Sequence, residues 1–107
     1  MIEVTKYSDF EGNVGKIVKI IGKLSKVIWQ HLTNFIDSHP YMNYFDLEDG
    51  YQIVIYSTDS ILCEEKLEVN GQLIKTGGSR KNPRSKVNDK YFEYQLLVDS
   101  WECLEGE

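Results

Sequence analysis

Residues 15–29 are the longest apolar-rich run in the chain, and they carry Lys16, Lys19, Lys23 and Lys26 with no acidic residue among them. Two folds compete for this run. The lysines recur at steps of three and four residues, with Ile17, Ile20, Ile21, Leu24, Val27 and Ile28 on the opposite arc. That is the pattern of a basic amphipathic helix on a membrane surface or in a partner's groove. Against a helix, Ile17, Val18, Ile20, Ile21, Val27 and Ile28 are β-branched, and Gly22 in a helix interior costs roughly 1 kcal/mol relative to Ala. As a strand, Val18, Ile20, Leu24 and Ile28 line one face while Lys19, Lys23 and Ser25 line the other, and Gly22 marks a bulge or sharp bend. The run alone leaves both open.

The rest of the chain favours the strand. Residues 44–47 and 51–56 are β-rich and flank Asp49-Gly50, a strong hairpin signal. Phe45 and Leu47 are expected to point inward with Ile53 and Ile55, leaving Tyr44, Asp46 and Gln52 on the other face. Residues 66–75 alternate, with Leu67, Val69 and Leu73 on the side of Gly71. Asn70-Gly71 is also a type I′ turn candidate, but its arms would be marginally short, so one strand bent at Gly71 is preferred. Residues 91–104 place Phe92, Tyr94, Leu96 and Val98 on one face and Glu93, Gln95 and Asp99 on the other. Ser57, Thr58, Asp59 and Ser60 offer helix caps, so a very short helix or turn is expected at 61–65, between the third and fourth strands. Residues 30–42 and 77–89 read as long loops.

At 107 residues the chain is one domain, 14–104, large enough for a core without staples, with a lead-in segment at 1–13 and a frayed tail at 105–107. Cys63 and Cys103 stand far apart, in neither a CxxC nor a zinc-like spacing, and read as two small buried hydrophobes in a reducing compartment. The N-terminus lacks a basic segment followed by an apolar one, and no apolar run reaches membrane-spanning length, so a cytoplasmic location and no membrane partner are expected. The net charge of −5 argues against nucleic acid, but its distribution does not. No Asp or Glu occurs in 12–36 or 69–88, and these two windows hold most of the basic residues.

The order is therefore all-β: five strands, the first and fourth with a central glycine, Gly22 and Gly71, in matched settings Ile20-Ile21-Gly22-Lys23-Leu24 and Val69-Asn70-Gly71-Gln72-Leu73. It resembles the OB fold, the five-stranded Greek-key barrel of single-strand-binding proteins, replication protein A domains and anticodon-binding domains. The resemblance covers 14–104 and departs from the common pattern in the very short helix or turn between the third and fourth strands. It implies a first strand paired with the second and fourth, and a groove framed by the two long loops. Carried over, that groove involves Trp29, Gln30, His31, Tyr44, Arg80, Lys81, Arg84 and Lys86, flanked on the first strand by Lys19 and Lys23.

Single-strand binding needs cations along the backbone and aromatic faces for the bases. Residues 75–90 hold six basic side chains against Asp89, and Arg80 and Arg84 are suited to grip phosphates or stack on bases. A solvated, solubilising loop is the plainer explanation of the same charges. Trp29 and Tyr44 are stacking candidates, Trp101 a packing residue. His31 and His39 fit no metal-ligand spacing, so no cofactor or metal is expected. No serine, glycine-rich loop or acidic pair assembles a nucleophile with its base, so the chain does not read as an enzyme. The expected function is binding of single-stranded DNA or RNA, with a protein-interaction module of the same fold as the rival.

Overall fold

Within the run at 15–29, Ile17–Leu24 form a strand. A computed structural model describes residues 2–27, 31, 36–77 and 92–104 and contains six strands: β1 (Ile2–Glu3), β2 (Ile17–Leu24), β3 (Tyr41–Leu47), β4 (Gln52–Ser57), β5 (Leu67–Gly77) and β6 (Phe92–Cys103). They form one mixed sheet in the order β1-β2-β3-β4-β6-β5, and β2 also pairs with β5, so the hydrogen bonding closes into a ring. β1–β2 and β4–β6 are parallel, the other pairs antiparallel. The five expected strands are β2 to β6. Among the described residues no helix is long and apolar enough to cross a membrane.

Alternation builds the core. Val18 and Ile20 of β2, Phe45 and Leu47 of β3, Ile53 and Ile55 of β4, Leu67, Val69 and Leu73 of β5, and Tyr94, Leu96 and Val98 of β6 all belong to one buried cluster. Val4 and Phe10 join it from the N-terminal segment, where two 3-10 turns, Tyr7–Asp9 and Glu11–Asn13, fold back over one end of the ring. β1 extends the row of strands beside β2, and Val4 N–H continues it by donating to the Lys19 carbonyl at 2.9 Å.

Two glycines are required by crowding. Gly22 is paired with Leu47 of β3 on one side and Leu67 of β5 on the other, so it is the residue where β2 passes from one neighbour to the next. A Cβ there would lie 2.1 Å from the Asp46 carbonyl oxygen. Gly71 is tighter still, 1.9 Å from the Leu97 carbonyl oxygen, and sits at a register shift in which Asp99 is the extra residue of β6. Asn70-Gly71 is thus a bulged crossing inside a continuous β5, not a turn. Gly50 is the conformational glycine: its φ of 93° closes the expected hairpin, with Gly50 N–H donating to the Leu47 carbonyl.

Two expectations need correction. The short helix at 61–65 does not form. Ile61 and Cys63 are buried while Leu62 between them is 81% exposed, the alternation of an extended chain, and the Ser57 hydroxyl donates to the Asp59 carbonyl instead of capping a helix. Nor are the cysteines free: Cys63 and Cys103 form a disulfide that ties the β4–β5 connector to the end of β6. Forty residues separate them, so spacing carried no sign of the pairing, and the reducing compartment inferred from free thiols loses its basis. Cys63 and Ile61 fill the end of the ring opposite Phe10, and the bond holds them there.

Chain-entropy reasoning gives a bridge across that separation a stabilisation of roughly 4 kcal/mol. Urea unfolding with and without a dithiol reductant should show a lower midpoint when reduced, matched by a Cys63→Ser, Cys103→Ser double variant. Gly71→Ala should cost about 3 kcal/mol or more in the same measurement, because the methyl meets backbone on the facing strand.

Candidate functional site

β4 is buried on both faces, unlike an ordinary half-exposed strand of an antiparallel pair. Ile53 and Ile55 face the core, while Gln52, Val54 and Tyr56 are buried on the opposite, outer side of the sheet. That outer side also carries Tyr44 and Asp46, paired with Val54 and Gln52, and it carries Glu93 and Gln95 of the parallel neighbour β6.

His31, in the connector between β2 and β3, lies on this face. Its side chain is 6% exposed, with Nδ1 against the Glu93 carboxylate and Nε2 at 2.9 Å from Gln52 Oε1. The Gln52 amide is oriented by its own nitrogen, which donates to Val27 O and to Asp46 Oδ1, each at 2.9 Å. Gln52 therefore presents an acceptor to His31, and both ring nitrogens face acceptor oxygens. The Tyr44 ring is half-buried beside the imidazole, centroids 5.8 Å apart. A buried polar network of this kind specifies where a connector sits, since each member would be costly to leave without its partners. His31 and Tyr44, singled out as groove residues, are brought together here in a packed cluster.

The two lysines are placed differently. Lys19 pairs with Glu68 of β5 at 3.5 Å, a half-exposed ion pair worth at most about 1 kcal/mol. Lys23 stands opposite Asp46 on β3 and lines a cleft of about 350 Å³ with Gly22, Leu47, Glu48 and Lys66, where Lys66 pairs with Glu48 at 3.0 Å. Acidic side chains thus accompany both. Trp29, Arg80, Lys81, Arg84 and Lys86 lie outside the described residues. His39 is apart from His31: its Nδ1 is 2.7 Å from the Ser38 hydroxyl and its Nε2 3.4 Å from Asp99, an arrangement that staples the start of β3 to the β6 bulge. Among the described residues no group of three His, Cys, Asp or Glu is placed to hold a metal ion.

Sequence reasoning passed over a second cluster, at the end of the ring closed by the N-terminal segment. The Tyr7 and Tyr51 rings stack with centroids 4.8 Å apart, and the buried Tyr94 makes edge contacts with Tyr7, Phe10 and Phe92. Tyr94 donates its hydroxyl to Glu11, and Lys75 lies 4.0 Å over the Phe92 ring and 3.8 Å from Glu11. Tyr51 and Phe92 are the exposed members. Each shares the inward side of its strand, with Ile53 and with Tyr94, but sits where the sheet ends and the core stops. Alternation grouped Phe92 with Tyr94 and made no assignment for Tyr51, and the place where the sheet ends leaves both rings at the surface.

His31→Ala should lower stability by about 2 kcal/mol in urea unfolding, because the Glu93 carboxylate and the Gln52 carbonyl both lose a buried partner. His39→Ala, whose Asp99 partner is 63% exposed, should cost under about 1 kcal/mol. Comparison with known proteins finds no family model and no curated protein that matches this chain.

Proposed function

We propose that the chain is an OB-fold module that binds single-stranded nucleic acid with little sequence preference. The observation that carries this is the segregation of charge by topology. Residues 78–91 hold five basic side chains and one acid, which leaves the remainder of the chain at −9. The residues that flank that interval, Gly77 and Phe92, are paired side by side at one end of the sheet. A concentrated cationic connector on an acidic body suits a partner whose phosphates are gripped locally while the body repels further strands. The pairing of β2 with both β3 and β5, and the parallel pairing of β4 with β6, support the OB assignment. Arg80, Lys81, Arg84 and Lys86 are the proposed phosphate contacts.

A protein-interaction module of the same fold is the second reading, favoured by the acidity of the rest of the chain. It expects a pull-down that recovers a defined partner regardless of nuclease treatment.

Fluorescence anisotropy with labelled oligo-dT and oligo-U should show affinity falling linearly with salt on logarithmic axes. Lys81→Ala with Arg84→Ala should lower the slope by about 1.4, the share of two phosphate contacts on a single strand. No binding at low salt would sink the proposal.

A further inference from the structure

We infer that Tyr51 and Phe92 form the stacking platform for the bases of the bound strand, at the end of the ring and away from the outer face that holds Tyr44. The inference rests on the single-strand function proposed above.

Stacking requires an aromatic face that is open on one side and held rigidly on the other. Tyr51 meets this: 54% of it is exposed, one ring face is occupied by Tyr7 at an interplanar angle of 18°, and a base on the other face would extend an existing stack. Its backbone is fixed by the same carboxylate that fixes Tyr7. Asp49 accepts the Tyr51 N–H through Oδ1 at 3.1 Å and the Tyr7 N–H through Oδ2 at 2.9 Å. Phe92 is 41% exposed and stands edge-on to Tyr94, which also stands edge-on to Tyr7, so one buried ring braces both sides of the platform. Lys75 lies 4.0 Å over one part of the Phe92 ring, which leaves its remaining exposed surface for a base.

The other aromatics are less suited. Tyr44 is half-buried against His31, and Trp101 packs on the core. Tyr41 is 48% exposed but lies at the far end of β3, opposite Ser57, while the residues near Tyr51 end β3 and start β4. Charge agrees with the choice. Asp49 has both oxygens turned to backbone N–H groups and Glu11 is paired with Lys75 and Tyr94, so these two acids beside the rings are already engaged. The cation-rich interval 78–91 is joined directly to Phe92.

The test is anisotropy with labelled oligo-dT on the full chain. Tyr51→Leu and Phe92→Leu each keep apolar bulk but remove the ring face, and each should weaken binding about tenfold, while Tyr51→Phe and Tyr41→Leu should bind as the parent does. The salt slope should stay unchanged in all four, since no phosphate contact is removed. Urea midpoints confirm that the variants are folded. Parent-like affinity in Tyr51→Leu and Phe92→Leu, or an equal loss in Tyr41→Leu, overturns this inference and leaves the function standing. Failure of the parent to bind oligo-dT at all overturns the function, and the platform with it.

Discussion

The whole sheet depends on one backbone crossing, at Gly22. A strand has two hydrogen-bonding edges, and β2 uses one for β3 and the other for β5, which is what turns a row of strands into a closed ring. The two pairings overlap at Gly22 alone, and the Asp46 carbonyl comes so close that any side chain would push β3 away. Gly71 performs the matching service where β5 crosses β6. Closure in turn decides burial: Val18, Ile20, Val69 and Leu73 face a shared interior because the ring has one inside.

A ring of strands has two open ends, and this chain closes them by unlike means. At one end Phe10 and Tyr7 arrive from outside the five-strand core, Tyr7 stacking on Tyr51 and both meeting Tyr94 edge-on, so closure is aromatic and depends on the hairpin carboxylate of Asp49. At the other, Ile61 and Cys63 enter as extended chain, held by the disulfide to Cys103. A connector without secondary structure has little local stability of its own, and a covalent tie supplies what a packed helix would otherwise supply.

Several features of the site could be read before folding and several could not. The charge of 78–91 and its flanking by strands were visible as composition. Phe45, Leu47, Ile53 and Ile55 were visible as alternation around Asp49-Gly50, and they are buried together. His31 was marked for its place in a long loop, but its cluster draws Glu93 and Gln52 from other strands, up to 62 residues away, and no local pattern encodes such a meeting. Tyr7 and Tyr51 are likewise brought together by the N-terminal segment, whose mixed composition carries no period.

By itself the sequence determined that β2 to β6 are strands, which of their faces turn inward, and the hairpin, because a period of two and a glycine at positive φ are local properties of the backbone, while β1 within 1–13 escaped it. Tertiary structure alone decided that Gly22 and Gly71 are crossings, that Cys63 meets Cys103, that His31 meets Gln52 on the buried outer face of β4, and that Tyr51 and Phe92 remain at the surface. Each of those depends on a distance between residues remote in the chain. Such distances are set by ring closure, through which strand has which neighbour and where each one ends.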